Sequence, residues 1–312
     1  MQEPRTVLVT GATGLVGRRL VAALRDDQWR VRAVTRRPQG ARLPEGVEPV
    51  GWDGLRVPGG ALAGCAAVVH LAGEPVFAGR PTRARRERIF KSRIDSTRAL
   101  VEAIAALPAG ERPAAFVCAS AVGYYGSRGD EPLEETAPPG EGFLADLCVA
   151  WEQEASAAAE HGVRTTSLRI GLVLAREGGA LAPLARIFGL GLGGRTGSGA
   201  QWWPWIHVDD LVALCRSALV DPRYRGVLNA VAPNPIRNRD FARELARRLH
   251  RPALLPVPAF VLRALLGEIS GELLDSRRVV PRRALDAGFG FAHEQLDSAL
   301  AAELAGPGGR PA

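Results

Sequence analysis

Hydrophobic positions in the first half of the chain recur in two alternating periods. Thr6–Thr10 is a short β-rich run that ends at a glycine, and residues 14–26 then place Val16, Leu20 and Leu24 on one helical stripe. Strands are predicted again at 31–35, 47–52, 67–71, 115–120 and 165–173. Between them run helical stripes: Ile94, Thr97, Val101 and Ile104 within 92–107, then Leu144, Leu147, Cys148, Trp151 and Ala155. Parallel neighbours need crossover connections, so strands alternating with helices predict a parallel sheet covered on both faces. The fold class is α/β, a Rossmann-type doubly wound parallel sheet with a smaller C-terminal α/β lobe.

The pattern changes after Ala175. Residues 189–199 are glycine-rich, Trp202, Trp203 and Trp205 follow, a helix is predicted at 208–219, and the remainder mixes proline-bounded helices with short strands. The expected organisation is a dinucleotide-binding domain at 1–175 with 206–225 packing back on it. A smaller substrate-side lobe takes 176–205 and 226–304, and 305–312 is a frayed tail.

Composition changes this picture little. Of 312 residues, 46% are hydrophobic and 23% charged, an ordinary globular balance. Cys65, Cys118, Cys148 and Cys215 form no C-x-x-C pair, which points to buried, reduced thiols and a cytoplasmic protein, with no metal site expected. The best apolar run, 253–266, is broken by Pro256, Pro258 and Arg263, so no membrane span is predicted. The net charge of +7 invites nucleic acid, but the densest basic run (Arg80, Arg83, Arg85, Arg86, Arg88) has no interleaved aromatic residue for base stacking. The expected partner is a small-molecule substrate, with no nucleic acid and no membrane, for a monomer or homodimer.

Residues 7–17, VLVTGATGLVG, read as strand, glycine turn and helix start. Gly11 permits the turn, Gly14 lets backbone approach a pyrophosphate, and Gly17 lets helix and strand pack closely, with the helix N-terminus facing the phosphates. The second strand ends in Thr35-Arg36-Arg37, with no carboxylate nearby. A carboxylate there would select the free ribose of NAD, whereas two guanidiniums suit the 2′-phosphate of NADP(H).

With that loop, His70-Leu-Ala-Gly73, Ser120-Ala-Val-Gly-Tyr-Tyr-Gly126 and Trp205-Ile-His-Val-Asp-Asp210 together resemble the extended short-chain dehydrogenases/reductases. The chain is most similar to their "epimerase family" subgroup, with bacterial YfcH-type members, which carries a C-terminal domain of unknown function resembled here by 251–300. The resemblance implies NADP(H) binding and an oxidoreductase or epimerase-like activity on an unassigned small oxygenated substrate. By position it implies that Gly11, Thr13, Gly14, Leu15, Val16 and Gly17 line the pyrophosphate and that Arg36, with Arg37 beside it, meets the 2′-phosphate. Leu71, Ala72 and Gly73 would follow the adenosine ribose and diphosphate, Ile170 and Leu172 would face the nicotinamide, and Arg93 would border the cofactor. Ser120 falls where such enzymes keep a substrate-binding serine.

The chain departs from this family in one respect. Extended dehydrogenases use Tyr-x-x-x-Lys on the helix after the fifth strand, the lysine lowering the tyrosine pKa for proton transfer. Those positions are Leu144 and Cys148 here, and the only lysine, Lys91, has Glu87 four residues before it. Candidates to replace the pair are Tyr124, Tyr125 and Glu74, each equally readable as a packed or solvated residue. Gln201, Trp205 and His207 are substrate-side candidates. The 197–201 glycine segment with its tryptophans reads either as a lid or as a buried aromatic corner. A non-catalytic NADP(H)-binding redox sensor or scaffold is the alternative function.

Overall fold

The computed structural model describes residues 5–76, 79 and 82–305. In chain order the first half gives β1 (Thr6–Thr10), α1 (Leu15–Asp26), β2 (Arg30–Thr35), β3 (Glu48–Gly51), β4 (Cys65–His70), α2 (Arg83–Ala105), β5 (Ala115–Ala121), β6 (Pro132–Leu133), α3 (Phe143–Ser156) and β7 (Arg164–Ile170). There follow β8 (Leu172–Ala175), β9 (Gly178–Gly179), α4 (Leu181–Gly189), β10 (Trp202–Trp203), β11 (Trp205–His207), α5 (Val208–Val220), β12 (Gly226–Ala230) and β13 (Ile236–Arg237). The chain ends with α6 (Asn238–Arg248), α7 (Ala259–Leu266), α8 (Gly271–Leu274), β14 (Arg278–Val279), α9 (Arg282–Asp286) and α10 (Leu296–Leu304).

Seven parallel strands form the main sheet in the order β3-β2-β1-β4-β5-β7-β12. The order reverses between β1 and β4, the switch point at which ligands bind in open α/β sheets. Period-two alternation sends successive side chains of each strand to opposite faces. Val7 and Val9 join Leu20, Leu24, Leu211 and Leu214 in one core cluster with α1 and α5. Leu8, Val68 and Phe116 join Ile94, Leu100, Leu147 and Trp151 in the other, with α2 and α3.

The strand expected at 165–173 is two strands, because the chain changes sheets at Gly171. Its amide donates to Ala230 O at 3.1 Å, while the next amide, Leu172, donates to Pro204 O at 2.8 Å. A Cβ on residue 171 would sit 2.7 Å from Pro204 O, so only glycine lets the two backbones approach. From there β8 pairs with β11 and β9 in a three-stranded sheet. That sheet covers a second core of Leu174, Leu181, Trp203, Trp205, Phe241 and Leu300.

Two sequence boundaries shift. The helix expected at 92–107 starts at Arg83, because the Thr82 hydroxyl accepts the Arg85 amide at 3.2 Å and caps a helix whose first turns are arginine-rich. Arg83 and Arg88 are exposed there, Arg86 is half-buried and Arg85 is buried; Arg80 lies outside the described residues. The lobe boundary expected at 226 falls too early, since Gly226–Ala230 is the edge strand of the main sheet and Ala284, Ala287 and Phe291 pack into the core cluster under β1. Most of the tail expected at 305–312 lies outside the described residues. Among the described residues no helix is long and apolar enough to cross a membrane.

Candidate cofactor and substrate site

The turn between β1 and α1 is shaped by contact. Gly11 has φ +68°, and a Cβ there would lie 2.8 Å from the Leu71 carbonyl and 2.9 Å from the Ala72 amide, so the first glycine is locked against the segment after β4. A Cβ on Gly17 would run into Gly11 O, which fixes the close approach of helix and turn. The Gly14 amide donates to Gly11 O at 2.9 Å. α1 then begins with no side-chain cap and no acidic residue in its first turn, which, among the described residues, leaves its free amides open to a ligand. Thr13 and Gly14 are exposed and Leu15 and Val16 half-buried at this mouth. At the end of β2, Arg36 and Arg37 are both exposed, and neither guanidinium has a carboxylate partner among the described residues. This set fits a dinucleotide with a third phosphate: a close-packed glycine turn, open helix amides and two unpaired guanidiniums.

Beneath the loop after β4, His70 is fully buried. Its Nδ1 meets Thr10 Oγ1 at 2.6 Å and its Nε2 meets Ser96 Oγ at 3.0 Å, and Thr10 Oγ1 also accepts the Ala72 amide. Burial, then the nearby Arg93 charge, pushes His70 down to about 3, so it is neutral at physiological pH. The unfolded chain takes up this proton near pH 6.5 and the folded chain does not. His70 therefore contributes its full stability above about pH 6.5 and loses it as pH falls towards 3. The urea midpoint is expected to drop between pH 7 and pH 4, and His70→Gln to flatten that drop in part, since burial also holds His207 down to about 4. An unchanged slope in the variant removes His70 from the acid limb.

Gly73, Glu74 and Arg93 meet at this point. The Arg93 guanidinium lies 3.0 Å from where a Cβ on Gly73 would sit, donates to Glu74 O at 3.1 Å and Ile89 O at 3.2 Å, and packs over the Trp151 ring. Burial lowers its pKa, yet it has no salt-bridge partner among the described residues, which leaves a charged guanidinium at the border of the site. Glu74 is turned the other way: its carboxylate pairs with buried Arg85 at 3.4 Å, and its amide is held by Ser92 Oγ. Expected at the reacting centre, Glu74 is instead the counter-charge of Arg85.

The serine and tyrosine candidates belong to a buried polar network. Ser120 Oγ donates to Glu152 Oε1 at 2.6 Å, and Glu152 takes Arg169 bidentately at 2.8 Å on each arm. Arg169 donates on to the Tyr125 hydroxyl at 2.8 Å, which itself donates to Asn229 Oδ1 at 2.7 Å. Ser120 is therefore committed to a carboxylate within the fold. Tyr125 has no exposed surface, and burial pushes its phenol up to about 12, which removes it as a proton-transfer group. Tyr124 stays half-buried, stacked under the Arg169 guanidinium at 3.3 Å. Glu152, Arg169 and Asn229 were not singled out in the sequence. Each stands on a different element: the β5–β7–β12 register sets Ser120, Arg169 and Asn229 side by side, and α3 brings Glu152 to them.

Leu144 and Cys148 do face the loop after β5. A Cβ on Gly123 would lie 3.3 Å from Leu144 Cβ and 3.9 Å from Cys148 Sγ, so α3 turns both side chains towards that loop. Burial pushes the Cys148 thiol up to about 12, which keeps it from acting as a nucleophile. Ile170 and Leu172 are half-buried and flank Gly171 at the open end of the sheet.

The substrate-side candidates are structural. Gln201 is buried with its amide nitrogen donating to Thr196 O and Leu273 O, and Trp205, 1% exposed, is part of the second core. The tryptophan segment is thus an aromatic corner. His207 caps α5, its Nδ1 accepting the Asp209 amide at 3.2 Å, with its ring stacked on His293 at 3.8 Å between centroids. His207, Asp209 and His293 form one group of metal-ligating side chains among the described residues. The cap bond already occupies the Nδ1 lone pair of His207. All four cysteines are buried and free.

Sheet order, glycine turn and loop positions define a Rossmann protein of the extended short-chain dehydrogenase type. The chain belongs to the NAD dependent epimerase/dehydratase family, which it matches over residues 7–229, and residues 257–303 match a domain of unknown function, DUF1731. The epimerase family protein SDR39U1 homolog, chloroplastic, of Arabidopsis thaliana is 42% identical over 96% of this chain and 87% of its own length. Human epimerase family protein SDR39U1 is 36% identical over 94% of this chain and 98% of its own. A crystal structure of the human protein (isoform 2) with NADPH superposes with a TM-score of 0.85 at 33% identity, covering 96% and 98% of the two chains.

Proposed function

We propose that this protein is an NADP(H)-dependent enzyme of the extended short-chain dehydrogenase type, acting on a small oxygenated substrate without a tyrosine–lysine pair. The observation that carries the cofactor reading is the open amide end of α1, together with two exposed arginines after β2 that have no carboxylate partner among the described residues. Gly11, Thr13, Gly14, Leu15, Val16 and Gly17 would hold the pyrophosphate on backbone amides. Arg36 and Arg37 would take the 2′-phosphate, Leu71, Ala72 and Gly73 would line the diphosphate, and Ile170 and Leu172 would flank the nicotinamide. Bound NADP(H) supplies or accepts a hydride. The chain's own part is to orient the substrate, exclude water and handle one proton. The human relative's structure with NADPH supports the choice of cofactor. Four buried free thiols support a cytoplasmic location.

Calorimetric titration with NADPH, NADP⁺, NADH and NAD⁺ tests this reading. NADPH is expected to bind about tenfold or more tightly than NADH, the scale of one charge-assisted hydrogen bond. No binding of any of the four would sink the cofactor reading and the enzyme with it. The alternative, a non-catalytic NADP(H) sensor, draws on the leucine and cysteine that stand at the dyad positions. Transfer of deuterium from 4-deuterated NADPH to any member of a carbonyl panel would decide for the enzyme.

A further inference from the structure

The C-terminal segment brings to the end of β5 a carboxylate that the sequence reading passed over. The point 3.3 Å from Leu144 Cβ and 3.9 Å from Cys148 Sγ, where a Cβ on Gly123 would be, is also 3.0 Å from Glu272 Oε1. Glu272 lies on α8, in the region matched by the domain of unknown function. It therefore faces the place from which a tyrosine and lysine on α3 would act. Three of the other candidates have turned away, Ser120 to Glu152, Tyr125 into the core and Glu74 to Arg85, and the half-buried Tyr124 ring is stacked under the Arg169 guanidinium.

Three further observations set Glu272 apart. Its side chain is only 24% exposed, yet its carboxylate accepts no hydrogen bond among the described residues, and its nearest cation is Arg277 at 3.8 Å. Its oxygens stay open to water, so the carboxylate is free to accept a hydrogen bond or a proton from a ligand. Its position is also fixed. Arg277 donates to Gly126 O at 3.0 Å, Ser276 Oγ to Gly129 O at 2.6 Å, the Arg128 amide to Ser276 O at 2.9 Å, and β14 pairs with β6. The segment is bolted to the loop that leaves β5. Finally, Glu272 raises and Arg93 lowers the pKa of the Cys148 thiol, so a carboxylate and a guanidinium both lie near that side chain.

We infer that Glu272 is the catalytic carboxylate of the reacting end, the group that does the proton work of the absent tyrosine. In the oxidative direction the substrate is an alcohol. Its O–H proton passes to Glu272 Oε1, its C–H bond gives the hydride with both electrons to the oxidised cofactor, and a carbonyl forms. The reverse direction returns the same proton to the oxygen. The inference rests on the cofactor reading above, and its test reads the binding of both cofactor states, so failure of the one is told from failure of the other.

The oxidised nicotinamide is a cation and the reduced one is neutral, so a carboxylate at that end favours NADP⁺ over NADPH. Calorimetry is run on the full chain as wild type, Glu272→Gln and Glu268→Gln, the last removing an exposed glutamate that pairs with Arg86 on the same segment. Glu272→Gln is expected to weaken NADP⁺ relative to NADPH by about threefold to tenfold, the scale of one partly screened charge. Glu268→Gln is expected to leave the ratio alone, and both glutamine variants to bind NADPH as wild type does. An unchanged ratio in Glu272→Gln with NADPH binding intact overturns the assignment. Loss of both ligands in the wild type overturns the cofactor reading instead. Should Glu272→Gln melt early, Glu272→Asp keeps the charge and is expected to keep the wild-type preference; loss of that preference there also counts against the role.

Discussion

Replacing Arg36 and Arg37 together by alanine is expected to weaken NADPH binding by about tenfold to a hundredfold while leaving NADH binding unchanged. Both side chains are exposed at the end of β2 with no carboxylate partner among the described residues, so their removal breaks no internal ion pair. What is lost is the contact to a 2′-phosphate. A hydrogen bond to a charged group contributes about 1.5–3 kcal/mol, and each 1.4 kcal/mol is about tenfold in affinity. The contacts are exposed and therefore screened, so the preference is expected to shrink with added salt in the wild type and to show little salt dependence in the variant. Titration of both cofactors at two salt concentrations checks it. A variant that still prefers NADPH as strongly as wild type would move the 2′-phosphate to other residues.

Arg169→Met is expected to cost about 3–5 kcal/mol of unfolding free energy, the penalty for stranding one partner of a buried ion pair. Arg169 is 3% exposed and its partner Glu152 10%. Without the guanidinium, Glu152 keeps only the Ser120 hydroxyl, the Tyr125 hydroxyl loses one of its partners, and the Tyr124 ring loses the cation stacked on it. The double change Glu152→Gln with Arg169→Met is expected to recover much of the loss, because it removes the orphaned charge as well. Urea unfolding of wild type, the single variants and the pair closes the cycle. A single-variant loss below about 1 kcal/mol would show the network open to water, as exposed ion pairs are.

The structure re-sorts the sequence candidates by direction. Ser120, Tyr125 and Glu74 lie near the right strand ends, and periodicity placed them there correctly. Each is nonetheless drawn to a partner on a different element: Glu152 on α3, Asn229 on β12, Arg85 on α2. Trp205 and His207 were singled out for their chemistry, yet one fills a core and the other caps a helix. Conversely, Glu272 carried no local signal. It sits in a short helical turn with no neighbouring motif, and only the pairing of β14 with β6 delivers it to Gly123.

The sequence by itself determined the sheet, the glycine turn and the arginines after β2, because these depend on local properties. Period-two and helical stripes, glycine backbone freedom and close-spaced charges are all written within a few residues. It also determined that Lys91 is the chain's single lysine, with Glu87 and no tyrosine four residues before it. Only the tertiary structure decided which face each polar side chain takes and what it meets there. That choice is made by burial: a buried hydroxyl, phenol or carboxylate must find a partner, and the available partners are set by strand order and by the C-terminal segment folding back over β5.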